Sequence, residues 1–181
     1  MANVFESGAR KVIPATLIYV VSNGKVLMLH RNRSERVGDV HLGKYNGLGG
    51  KLDEGESFSA GALRELYEEA GIRADEVSLE WRGVLYFPNF KEKLAPKISE
   101  DWLVQVFIAH FRGHHPFERV WPCEEGSLRW VDQDQLLTLP LWEGDKEFLP
   151  KVFAPAKGGE PLPFSGTFWY RAGELDRFEW S

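Results

Sequence analysis

Between Gly50 and Ile72 the chain reads GKLDEGESFSAGALRELYEEAGI, and this run constrains the fold more than any other part of it. It is a glycine-rich turn leading into a short helix. Ser57 or Ser59 can cap the helix start, and Gly71 supplies a left-handed stop. At about 100° per residue, Ala62, Leu63, Leu66 and Ala70 share one apolar stripe that must pack on something. Glu65, Glu68 and Glu69, spaced i, i+3, i+4, form an acidic stripe beside it. Glu69 lies only about 20° around the helix from Ala62, so it points toward packed structure rather than open water.

Three carboxylates on one helix face, joined by Glu56 from the preceding turn, repel one another by several tenths of a kcal/mol per pair even when exposed. Partly buried, they would be protonated unless something positive stood between them. One arginine, Arg64, lies among them. A hard divalent cation suits such a set, because Mg²⁺ takes oxygen ligands, keeps waters and bridges to phosphates. A solvated acidic face is the ordinary reading of an acid-rich helix, but here the spacing extends beyond the helix to Gly50 and Glu56.

With those residues in view, Gly50 to Ile72 resembles a complete Nudix box, the signature of hydrolases that cleave a diphosphate linked to another group. Gly50, Glu56, Arg64, Glu65, Glu68, Glu69 and Gly71 match, with Leu66 and Ile72 at the aliphatic positions. At about 5–7 % usage per residue type, chance produces such a match in roughly one chain in ten million. The resemblance implies a Nudix-type α/β/α sandwich with a mixed β-sheet. It implies that Glu65, Glu68 and Glu69 hold Mg²⁺ (or Mn²⁺), that Arg64 orients them by ion pairing, and that Glu56 supports the metal site or the helix. A loop acid before a later strand also reaches the metals in this family. Here Glu125, in Cys123-Glu124-Glu125-Gly126, is the first candidate for metal ligand or general base, and Glu124 the second.

The chain has 181 residues, enough for one domain with a substantial core and too few for two comfortable ones, so residues 1–181 are expected to form a single unit. Lys and Arg number 22 against 27 Asp and Glu, a net charge of −5 that argues against electrostatic binding of duplex nucleic acid. It leaves room for a small phosphorylated substrate, since metals and local basic residues can supply positive charge. A lone cysteine, Cys123, excludes an internal disulfide framework and fits a reducing compartment. No apolar run approaches a membrane span, and MANVFESGARK lacks a hydrophobic signal region, so a cytoplasmic protein is expected. Oligomeric state is not readable.

Along the chain, residues 13–21 and 25–30 are β-rich runs joined by Ser22-Asn23-Gly24, a hairpin signal. Residues 77–87 and 102–111 read as longer strands, with a charged loop from Pro88 to Asp101 between them. SLRWV (127–131) suggests another strand and DQDQLLTLP a short helix. LWEGDKEFLPKVF (141–153) suggests a helix broken by Pro150, FSGTFWYR a strand, and 175–178 a last one. Mixed strands with two or three helices give an α/β class, a sheet with helices on its faces.

Outside the box, Arg31 and Arg33, with Arg36 and Lys44, make the 31–45 loop the basic one near it. Arginine offers phosphate a bidentate fork, and Arg31 is the first candidate. His114 and His115 lack ligand spacing, and Cys123 lacks the supporting histidine of a nucleophile.

YNGLGGKLDEGE is similar to the run entering the box in the oxidised purine nucleoside triphosphatases, the Nudix branch that sanitises nucleotide pools of 8-oxo-dGTP and 2-hydroxy-dATP. LWEGDKEFLP and FSGTFWY resemble that branch's base-recognition helix and following strand. By that comparison Thr16 and Asn46 line a base pocket, Trp142 stacks on the purine, Asp145 bonds its edge, and Gly49, Gly50 and Lys51 contact substrate. One position departs: that branch carries two adjacent aspartates after the tryptophan, and Glu143-Gly144-Asp145 keeps only the second. Tyr86 and Pro88 fall where branches acting on dinucleoside polyphosphates or ADP-ribose carry a Tyr or a Pro. Those compounds and capped RNA are the alternative substrates, and a non-catalytic Nudix-fold binding domain is the alternative class.

Overall fold

A computed structural model describes residues 11–33, 41–94, 97–112, 123–124, 126–155 and 162–181. Glu125, Arg36, His114 and His115 lie outside these. β1 (Lys11–Ser22) and β2 (Lys25–His30) form the expected hairpin, with Asn23 and Gly24 both at positive φ in the turn. The two strands pair only at the turn end, Val20–Ser22 against Lys25–Leu27. Beyond that, residues 45–51 run between them: β3 (Tyr45–Asn46) pairs with Leu29 and His30, while Leu48 and Lys51 bridge to Ile18 and Ala15 of β1. This carries the glycine-rich turn onto the middle of the sheet.

The other strands are β4 (Val77–Leu94), β5 (Lys97–Phe111), β6 (Ser127–Asp132), β7 (Phe164–Arg171) and β8 (Glu174–Trp180). They complete one eight-stranded sheet of order β3-β2-β1-β5-β4-β7-β8, with β6 paired to β2. It is mixed: β1 runs parallel to β5 and β4 parallel to β7, while the other pairings are antiparallel.

β1 is buried on both faces, which explains its near-continuous apolar run. Its alternate residues separate two cores. Ile18 and Val20 pack with Ala62, Leu66 and Ala70 of α1 (Phe58–Ala70), the predicted stripe. Ala15 and Tyr19 pack with Phe148, Leu149 and Val152 of α2 (Glu143–Val152) on the other face. One helix on each face of one sheet is the expected α/β/α sandwich. Burying Leu66 completely contributes about 2 kcal/mol. Ser57 is the N-cap of α1, its Oγ accepting from Ala60 N at 3.2 Å, and Gly71 is the left-handed C-cap. Among the described residues no helix is long and apolar enough to cross a membrane.

Two expectations are corrected. The segment from Pro88 to Asp101 is not a loop, because β4 and β5 continue through it as a hairpin paired from Lys91↔Glu100 to Leu94↔Lys97. A register shift between Phe87 and Lys91 takes Pro88, which has no N–H to donate, out of the ladder. Asp101 pins this bulge, accepting from Tyr86 Oη at 2.6 Å and from Asn89 N at 2.8 Å. Nor does Pro150 break α2, which runs through it to Val152. Only two helical residues follow, so the cost is one backbone bond in the last turn.

The far end of α2 is tied down by a buried charge. Arg82 of β4 is 3 % exposed; it donates to the carbonyls of Lys151 and Ala154 at 3.2 and 3.1 Å and to Glu80 Oε1 at 2.7 Å. Burial alone would raise the Glu80 carboxyl, but His110 and Arg82 hold it below its ordinary value. Arg82→Ala is therefore expected to cost about 3 kcal/mol, because the helix-end carbonyls lose their donor and Glu80 its partner. Urea unfolding checks this, and a change within 0.5 kcal/mol, the size of an ordinary surface substitution, would reject the role.

Candidate active site

The acids of α1 and the preceding turn meet around Arg64. Its Nε and Nη2 hold Glu56 in a fork, at 3.1 Å to Oε1 and 3.0 Å to Oε2. Nη1 donates to Glu65 Oε1 at 3.0 Å and to Glu68 Oε2 at 2.9 Å, and Nη2 also reaches the Lys51 carbonyl at 2.9 Å. The bond to Glu56 is the main reason that Arg64 is held still more firmly protonated and that the Glu56 carboxyl lies below its usual range. Glu65 moves the other way. Its burial outweighs the help from Arg64 and raises its pKa.

The glycine-rich turn presses on this cluster. A side chain at position 50 would put its Cβ 2.5 Å from Glu65 Oε1, so glycine there lets the carboxylate keep its place beside Arg64. Next to it, Gly49 N donates to Glu69 Oε2 at 2.8 Å, which confirms the inward lean expected of Glu69. Among the described residues no three acid, histidine or cysteine side chains form a ready metal cage, and Arg64 stands where Glu56, Glu65 and Glu68 converge. The donor set still fits a hard divalent ion. It is all carboxylate oxygen, and Glu65 is half-buried with too little positive charge to offset its burial.

Gly49 and Gly50 also form one wall of a cavity of about 710 Å³. Thr16, Asn46, Trp142 and Asp145 all line it, so the structure brings these four sequence candidates together with the box turn. Lys44 Nζ sits 4.6 Å from the Trp142 ring centroid and donates to the Leu141 carbonyl, and His41 meets the same ring edge-on. Asn46 Oδ1 is buried with no hydrogen-bond partner among the described residues, and a buried acceptor left so is one that a ligand donor can satisfy. Burial pushes the Asp145 carboxyl up to about 7, with Lys44 pulling against it. Arg31 and Lys51 do not line the cavity. Arg31 exchanges backbone bonds with Gly43 and Lys44, and Lys51 lies exposed with its ammonium 5.4 Å from the ring of Trp102, a wall residue. A second cleft, of about 640 Å³ around Arg82 and His110, touches none of the box.

Residues 11–152 match the family described as NUDIX domain. The chain belongs to the Nudix hydrolase family. This Nudix hydrolase is 31% identical over 167 residues to the oxidized purine nucleoside triphosphate hydrolase of Danio rerio, covering 91% of this chain and 94% of that one. It is 29% identical over 148 residues to the protein of the same name from Mus musculus, covering 78% and 80%. Among solved structures it resembles a mutator MutT protein from Bacillus halodurans, with a TM-score of 0.70 and 25% identity over 93% of this chain and 97% of that one.

Several wall residues of this Nudix hydrolase were not singled out by the sequence reading: Phe87, Phe90, Trp102, Phe148, Trp169 and Tyr170. They come from β4 and the bulge within it, β5, α2 and β7, far apart in the chain. Their only signal is the high aromatic content of those strands. Of the pair weighed as branch markers, Pro88 lines the cavity, whereas Tyr86 is committed to Asp101.

Proposed function

We propose that this Nudix hydrolase cleaves a purine nucleoside triphosphate, with an oxidised base such as 8-oxoguanine as its preferred class, to the monophosphate and pyrophosphate. One observation carries the reading: Trp142, Asp145, Asn46 and Thr16 share one cavity with Gly49 and Gly50, and those glycines contact Glu69 and Glu65 of the box. A base bound among the first group directs its phosphates to the second. The Danio rerio and Mus musculus relatives, both named oxidized purine nucleoside triphosphate hydrolase, support the same class.

Glu65, Glu68 and Glu69, with Glu56 and Glu125, are the residues that would hold Mg²⁺ or Mn²⁺. When bound, such ions neutralise phosphate charge and lower the pKa of the attacking water. Arg64 fixes the carboxylates in place through the bonds described above. Trp142 offers a stacking face worth about 1–3 kcal/mol. Asn46 Oδ1 and Asp145 present acceptors to the base edge, and Arg31 is the candidate donor to phosphate. Glu125 and Glu124 are the candidates for a general base.

The test is turnover of 8-oxo-dGTP, dGTP, dATP, ADP-ribose and diadenosine tetraphosphate with Mg²⁺, following pyrophosphate and phosphate. Fastest release of pyrophosphate from an oxidised purine triphosphate is the expected result. Fastest turnover of ADP-ribose or the dinucleotide would reject the base-pocket assignment, and no turnover of any compound, with Mn²⁺ as well, would favour a binding domain.

A further inference from the structure

Gly144 lies in the first turn of α2, where backbone N–H groups have no partner within the helix. Its amide donates instead to Tyr170 Oη of β7 at 3.1 Å. The space that a side chain at 144 would need is already taken: a Cβ there would lie 2.4 Å from the tyrosine oxygen and 3.3 Å from Phe168 Cδ1. A phenol from β7 thus fills the place beside Asp145 that a side chain at 144 would need. Tyr170 lines the cavity together with Asp145. Burial first, and then the nearby Asp145 charge, keep the phenol protonated. Having accepted from Gly144, the hydroxyl retains one proton to donate, and no acceptor for it stands among the described residues.

We propose that Tyr170 is a specificity-determining residue, whose hydroxyl donates to the substrate base beside the Asp145 acceptor, so that the pocket takes 6-oxopurines in preference to 6-aminopurines. The inference rests on reading the cavity as the base pocket. A phenol O–H next to a carboxylate complements a ring carbonyl next to a ring N–H, the lactam edge of a guanine-type base. A 6-aminopurine held in the same orientation sets its amino donor against the phenol donor and its bare ring nitrogen against the carboxylate. Asn46 Oδ1 adds a further acceptor for a base N–H. Sites built to hydrogen-bond a substrate group reject analogues that leave those groups unpaired.

The experiment compares wild type with Tyr170→Phe, which keeps the ring and removes only the hydroxyl. It measures kcat/KM with Mg²⁺ for dGTP, 8-oxo-dGTP, dATP and 2-hydroxy-dATP. Calorimetric Kd values for the matching monophosphates, without metal, report base recognition apart from catalysis. Wild type is expected to favour the 6-oxo compounds at least tenfold. The variant is expected to lose about tenfold on those alone, in kcat/KM and in Kd, while kcat/KM and affinity for the 6-amino compounds rise as the opposed donor is removed, so that the preference narrows from both sides. A parallel fall for both classes with a lowered Tm would make Tyr170 a prop for Gly144 and overturn the proposal, as would an unchanged ratio or a wild-type preference for 6-aminopurines. In those outcomes triphosphate turnover still stands. A wild-type protein that neither hydrolyses any triphosphate nor binds any monophosphate would remove the function proposed above, and this inference with it.

Discussion

Glutamine in place of Glu69 is expected to lower kcat with Mg²⁺ by about 10³-fold, or about 4 kcal/mol of transition-state stabilisation, while leaving the fold intact. The substitution separates two jobs of one side chain. Glu69 Oε2 accepts from Gly49 N at 2.8 Å, and glutamine keeps an oxygen that can accept the same bond, so the junction between the glycine turn and α1 survives. What is lost is the charge, which the structural hydrogen bond does not require but a divalent ion does. Steady-state kinetics with Mg²⁺, alongside thermal melting, check the prediction. Wild-type kcat in the variant would show that Glu69 is no metal ligand, and a collapse of Tm as large as the loss of activity would assign it to the scaffold. Glu69→Ala is a poorer probe, because it also strands the Gly49 amide.

Local chemistry was what made parts of this molecule readable from sequence. The Asn23-Gly24 hairpin, the apolar stripe of α1 and the lean of Glu69 all follow from spacings of a few residues and stand in the structure, which also chooses Ser57 over Ser59 as the helix cap. The cavity candidates Thr16, Asn46, Trp142 and Asp145 came by resemblance, and the sheet brings them together. The aromatic wall escaped because no short-range rule links Trp102 on β5 to Trp169 and Tyr170 on β7; only the parallel β4–β7 pairing brings those strands into one sheet. The β4–β5 extension escaped because Pro88 and the charges after it mimic a loop, and the compensating bond set at Asp101 is long-range. Arg82 escaped for a related reason: an arginine preceded by Glu80 and Trp81 and followed by Gly83 reads as surface until α2 is laid across it.

Asp145→Asn is expected to stabilise the protein above pH 7 and at the same time to weaken its hold on a purine. In the folded chain burial moves this carboxyl from its ordinary 3.8 to about 7, Lys44 offsetting only part of the shift. The unfolded chain releases the proton near pH 4, so between about pH 4 and 7 the native state holds one that the unfolded state has lost. Stability therefore falls as pH rises through that window. At about 1.36 kcal/mol per unit the ceiling is about 4 kcal/mol, and water in the cavity screens the carboxylate to below it. Asparagine never ionises, so the variant should gain about 1–2 kcal/mol at pH 8, roughly a third of that at pH 5 and almost nothing below pH 4, a difference that thermal melts at these pH values would read. The same change turns an acceptor that is ionised at pH 8 into a neutral amide facing the base. It should lower kcat/KM for a purine triphosphate by about 10–100-fold there, and by less at pH 6, where Asp145 itself is mostly protonated. Parallel melting curves for the two proteins across this pH range would mean that Asp145 ionises normally and has no tuned role. A gain in stability bought with a loss of recognition would mark it as a residue kept for binding at the expense of the fold.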